Sequence, residues 1–93
     1  MRTIERSSAF KRDYKREAKG QHRHTLDESL SPVLLALATD QPLDPRCRDH
    51  DLSGNWAGYR ECHVKPDLLL IYRKSADELL RLARLGSHSE LFG

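Results

Sequence analysis

No stretch of this chain approaches the ~18 consecutive apolar residues that a membrane-spanning helix requires, so a place in the bilayer is not expected. It also lacks a basic-then-apolar opening of the kind that marks a secretory leader, which points to the cytoplasm. Cysteine is scarce. Cys47 and Cys62 fit no zinc or redox spacing and read as plain thiols in a reducing compartment. Aromatics are few as well, two Phe, three Tyr and one Trp, and Phe10 and Tyr14 read as core anchors more readily than as base-stacking platforms. Residues 25–45 contain four acids and no Lys or Arg, whereas residues 1–24 carry eight Lys/Arg against three acids. A net charge of +2 hides that asymmetry. The basic third can contact a polyanion, or it can simply be a solvated helix face.

What is present fits one domain spanning residues 1–93, with 38% apolar and 32% charged residues. MRTIERS reads as a short opening strand. SSAFKRDYKREAKG reads as a helix capped by Ser7 or Ser8 and ended by Gly20, with Phe10, Tyr14 and Ala18 inward. A second helix begins at the capping-box pattern Thr25-x-x-Glu28, and Leu26, Leu30, Val33, Leu34 and Leu37 mark its buried side. Pro32 either kinks it or starts a further helix. QPLDPRCRD is a loop. In GYRECHVK, alternation puts Tyr59, Glu61 and His63 on one face and Arg60, Cys62 and Val64 on the other. Lys65-Pro66 is a turn, DLLLIYRK a strand covered on both faces, and ELLRLARLG a third antiparallel partner. Ser87 or Ser89 caps a last helical turn. The expected fold is α+β: an N-terminal strand, two helices on one face of an antiparallel sheet of about four to five strands, and a short C-terminal helical turn. The face without helices is left open for a site.

Strand ends there could gather His50, His63, Asp67, Arg84 and His88, with His63 close enough to Asp67 for a hydrogen bond. Histidine suits both proton roles in cleaving RNA by its own 2′-hydroxyl, and arginine suits the charged phosphate. The spacing alone supports a nuclease or a phosphate binder. It also leaves room for zinc on His50, His63, Asp67 and His88, although no HExxH or closely paired His/Cys spacing is present. His22 and His24 read as surface residues.

The runs GNWAGYRECHVKPDLLLIY and RLGSHSELFG resemble the YafQ branch of the RelE superfamily, toxins of bacterial toxin–antitoxin pairs. The likeness extends over essentially the whole chain and is densest from Asp49 onward. It implies a metal-free endoribonuclease, without cofactor, that cuts messenger RNA in the ribosomal A site and is held inactive by a RelB/DinJ-type antitoxin. Carried over by position, it implies catalytic roles for His50, His63, Asp67 and His88. It implies a phosphate contact at Arg84 and a site aromatic at Phe92, with Glu61 beside them on the substrate face. Lys11, Arg12, Lys15 and Arg16 would then grip ribosomal RNA. Some relatives have tryptophan after the aspartate, where this chain has Leu68, so any stacking by that ring is missing; Trp56 is expected to pack its own hairpin. A metal-dependent hydrolase and a non-enzymatic basic RNA-binding module are the competing readings.

Overall fold

The computed structural model describes residues 1–93 and contains a five-stranded mixed sheet with three helices. The elements are β1 (Thr3–Arg6), α1 (Ser8–Ala18), α2 (Leu26–Ala38), β2 (His50–Asp51), β3 (Arg60–Lys65), β4 (Leu68–Lys74), β5 (Leu79–Gly86) and α3 (His88–Phe92). Short 3-10 turns occupy Pro45–Cys47 and Gly54–Trp56. The sheet order is β1-β5-β4-β3-β2, so the most apolar strand lies at its centre. β2 to β5 form the expected antiparallel meander, and β1 joins it parallel to β5. No local pattern could reveal that direction, because Thr3 pairs with Leu79 from the opposite end of the chain.

Each helix has a local cause. Ser7 caps α1 by accepting a 3.0 Å hydrogen bond from the Phe10 amide. Its inward face departs from the expected stripe. Phe10 is buried and Tyr14 half-buried, but Ala18 is exposed and the acids Asp13 and Glu17 are buried instead. α2 runs unbroken through the exposed Pro32, so no second helix begins there. The Thr25 capping box is not made, because the Thr25 hydroxyl accepts from Lys65 Nζ on β3. α3 does have a complete box: Ser87 Oγ accepts from the Glu90 amide, and Glu90 accepts from the Ser87 amide.

α1 and α2 cover one sheet face. Phe10, Leu26, Leu30, Leu37, Cys62, Leu68, Leu70, Tyr72, Leu80, Leu82 and Leu85 form the larger core there. The opposite face is not fully open. Leu91 from α3 packs on Leu69, Ile71 and Ala83, while Leu52, Trp56 and Tyr59 fold over from the β2–β3 connection. Trp56 meets Tyr59 edge to face at 5.3 Å between ring centroids, so it packs its own loop as expected. The second face therefore has an apolar floor with a helix and a loop at its borders. Between those borders lie the residues with chemistry.

Candidate active site

Register places the first group. His50 is directly opposite Glu61 across β2–β3, and Glu61 and His63 alternate onto the same face. Their β4 partners are Ile71 and Leu69, both part of the second apolar cluster. Glu61 is buried at 6% exposure, and one oxygen, Oε1, lies 3.9 Å from His50 Nε2 and 3.7 Å from His63 Nε2. The Glu61 carboxylate thus lies between the two imidazoles, beyond hydrogen-bond length from each.

Backbone carbonyls fix the other edge of each ring. His50 Nδ1 is 2.7 Å from the Arg48 carbonyl oxygen, and His63 Nδ1 is 3.4 Å from that of Pro66. A carbonyl only accepts, so Nδ1 carries the proton in both rings. In a neutral imidazole that leaves Nε2 as the basic nitrogen, and in both rings Nε2 lies on the Glu61 side. The Arg48 carbonyl is presented by a tight turn: Asp44 caps the 3-10 segment through the Arg46 amide, and Arg48 closes it with φ of 50°.

His88 enters on α3. It is exposed and its ring leans on Phe92 at 5.1 Å between centroids, which orients both on one side of the helix. Leu91 anchors that helix to the apolar floor. In the ladder Gly86 pairs with Leu69, which pairs with His63. Two strand spacings thus separate the His63 backbone from Gly86, about 10 Å, and His88 follows two residues later. α3 packs closely on Gly86, where an added Cβ would sit 3.2 Å from Glu90 Oε1 and 3.3 Å from Leu91 Cδ2. The structure therefore brings His50, Glu61 and His63 together and sets His88 and Phe92 at the border of the same face.

Other expected site residues are held elsewhere. Asp67 does not bond to His63. A register shift after His63 pairs Lys65 with Leu68 and leaves Asp67 in the turn, facing the α1–α2 connection. There its Oδ2 accepts from Gln21 Nε2 at 3.0 Å, and its Oδ1 lies 3.4 Å from His22 Nε2. His22 is buried at 8% exposure, contrary to the surface position expected for it, while His24 is exposed. Arg84 donates from Nε to Asp13 Oδ2 at 2.7 Å and from Nη2 to Oδ1 at 3.2 Å. Arg16 is likewise engaged, with Asp13, Glu17 and Glu90 and with the Leu85 carbonyl at 2.9 Å. Lys11, Arg12 and Lys15 are exposed. A hidden carboxylate such as Asp13 gives no sequence signal apart from its helical spacing to Phe10 and Glu17.

An open groove of about 610 Å³ runs from His63 between the end of β3 and the 3-10 turn, with Arg46, Arg48 and Lys65 along its walls. Asp44 is the one acid lining it, and it pairs with Arg46 at 3.1 Å. No three His, Cys, Asp or Glu donors converge on a point that could hold a metal ion.

A family model described as the bacterial toxin of a type II toxin–antitoxin system, YafQ, matches residues 2–93. The chain belongs to the YafQ toxin family. The mRNA interferase toxin YafQ of Escherichia coli K12 is 42% identical over 93 residues, which is 99% of this chain and 97% of that protein. The toxin in a crystal structure of the E. coli DinJ-YafQ complex is 40% identical, with a TM-score of 0.84 and complete coverage of both chains. A metal-bound toxin from Helicobacter pylori is 46% identical, with a TM-score of 0.83 over 99% of this chain and 100% of that one. The α+β architecture of this YafQ-family chain is thus shared with solved toxins along its full length.

Proposed function

We propose that the chain is the toxin of a toxin–antitoxin pair: an endoribonuclease that cuts messenger RNA in the ribosomal A site and is neutralised by a RelB/DinJ-type antitoxin in the cytoplasm. The observation that carries this reading is the pair of imidazoles aimed at Glu61, with a third imidazole on α3 at the border of the same face. The E. coli relative's designation as an mRNA interferase and its complex with DinJ support the substrate and the partner.

The chemistry is attack of a 2′-hydroxyl on the adjacent phosphate, with loss of the 5′-oxygen of the next nucleotide. His50 or His63, each with Nε2 free in the neutral ring, takes the 2′-hydroxyl proton, and Asp67 is the further base candidate. His88 gives a proton to the leaving oxygen. Phe92 beside it offers a face on which a base can stack, and Glu61 lies between the two strand imidazoles. Arg48 and Lys65 extend the site along the basic groove, where the message phosphates find positive charge. Arg84 reaches a phosphate only by sharing or leaving its bond to Asp13.

Two tests belong to this reading. The exposed cations Lys11, Arg12 and Lys15 face outward on α1 and form the ribosomal RNA grip. Changing these three to Gln should weaken binding to 70S ribosomes and reduce the slope of log affinity against log salt by roughly 0.7–0.9 per lost contact, with the circular dichroism spectrum unchanged. An unaltered salt slope would remove α1 from the ribosome interface. The second test concerns metal. The acid–base scheme needs no metal, so cleavage is expected to survive EDTA at full rate. The metal-bound H. pylori relative makes the opposite outcome concrete. Loss of cleavage on chelation and its return with a divalent ion would replace the acid–base scheme with metal-assisted cleavage.

A further inference from the structure

We infer that Gln21 and His22, in the connection between α1 and α2, are positioning residues for the Asp67 carboxylate. This inference rests on the ribonuclease reading above and on Asp67 acting in it. Asp67 lies in the two-residue turn between β3 and β4, and its side chain is 57% exposed. A carboxylate on such a turn would ordinarily sample several rotamers in water. Here both of its oxygens are met by one short segment of chain. The Gln21 amide donates to Oδ2 at 3.0 Å, and His22 Nε2 stands 3.4 Å from Oδ1. The Gln21 amide also lies 3.4 Å from the same imidazole nitrogen, so the three groups form a closed triangle.

The burial of His22 gives this contact its stiffness. Its side chain is 10% exposed, so the ring cannot swing away to follow solvent. The connection that carries it is fixed by its own hydrogen bonds, Arg23 amide to Gly20 carbonyl at 3.1 Å and Thr25 amide to His22 carbonyl at 3.0 Å. A second tie runs nearby, where Lys65 Nζ donates to Thr25 Oγ1 from the strand that leads into the turn. The helical layer thus reaches past the end of the sheet and grips the β3–β4 turn from its far side. The carboxylate that failed to reach His63 is bonded by Gln21 and lies beside a different histidine. His22 touches no substrate in this arrangement; its effect passes through Asp67.

A double-mutant cycle on message cleavage by programmed ribosomes tests this, using Asp67→Asn, His22→Ala, His22→Gln and Gln21→Ala. Asp67→Asn is expected to lower kcat by about 10²-fold or more. His22→Ala and Gln21→Ala are each expected to lower kcat by roughly 10-fold with KM unchanged, the scale set by small misplacement of a reacting group. His22→Gln, which keeps a donor near the same point, should recover most of that loss. In the Asp67→Asn background neither change should cost anything further, because groups acting through one carboxylate are not additive. Additive losses, or a loss in His22→Ala that tracks a lower melting temperature while Gln21→Ala stays wild type, would overturn the positioning role. Gln21 is exposed, so its variant reports even where His22→Ala folds poorly. If Asp67→Asn cleaves normally, the aspartate itself leaves the mechanism, an outcome distinct from failure of the two supporting residues.

Discussion

Replacing His88 with alanine should lower the rate of message cleavage by roughly 10²–10⁴-fold, the range for removing a positioned general acid. The ring is exposed and is held by Phe92 at 5.1 Å, not by the core. Its loss therefore costs little folding energy, within about 0.5 kcal/mol for a surface change. Ser87 and Glu90 still cap α3, and Leu91 still holds it to Leu69 and Ile71. The variant should thus be fully folded and should still bind its antitoxin. Mapping cuts on a translated message, with and without ribosomes, gives the readout. Wild-type cleavage by His88→Ala would take α3 out of the chemistry and leave the strand imidazoles to act alone. Individual alanine variants of His50 and His63 provide the matching control, since a non-enzymatic RNA-binding module would inhibit growth equally in all three.

The largest expected effect on stability lies elsewhere, at Asp13. Its side chain is 4% exposed and gathers two bonds from Arg84, one from Arg16 and a 3.0 Å bond from the Leu85 amide. Asp13→Ala leaves that amide and the Arg84 guanidinium without a partner, while Arg16 keeps Glu17, Glu90 and the Leu85 carbonyl. Breaking a buried charge pair costs about 3–5 kcal/mol, and the lower end applies because Arg84 and Arg16 retain contact with water. Against a total of about 5–15 kcal/mol for an ordinary domain, that moves the urea midpoint far to the left. An unchanged midpoint would show that the network contributes no net stability.

The same carboxyl sets a pH signature. Burial pushes Asp13 up, but the hydrogen bonds from Arg84 and the Leu85 amide and the charges of Arg84 and Arg16 outweigh it, so its pKa lies below the usual 3.8. A lowered folded value means that its contribution is complete above the unfolded pKa and is lost as pH falls through the folded one. Glu90 shifts in the same direction, through its bond from the Ser87 amide and the charge of Arg16. Acid unfolding should therefore steepen below about pH 4. Asp13→Asn should flatten that limb while leaving the slope near neutrality alone.

Much of the fold was legible wherever one stretch of chain carried its own evidence. LLLIY announced a strand covered on both sides, and it is β4, with Leu68 to Tyr72 all buried. Ser87, one of two serines offered as its cap, does cap the last helix, and alternation correctly put Glu61 and His63 on one face. What stayed hidden depended on distant partners. The parallel pairing of β1 with β5 joins residues more than 70 apart, and four-residue TIER offers no polarity signal. Asp13 and Glu17 looked like ordinary members of a basic helix until Arg84 and Leu85 from β5 met Asp13 and Arg16 met Glu17. Thr25 matched a capping box, yet a lysine from β3 claimed its hydroxyl. His63 and Asp67 were four residues apart across a turn, and a single register shift was enough to send them to different neighbours.

The pairing of β1 with β5 also bears on the birth of the molecule. A nascent chain grows at about 5–20 residues per second, and β1 cannot find its partner until Leu79–Gly86 have left the exit tunnel. His88 and its helix follow later still. A chain that has made β2 and β3 but not β5 thus carries His50 and His63 without a finished sheet.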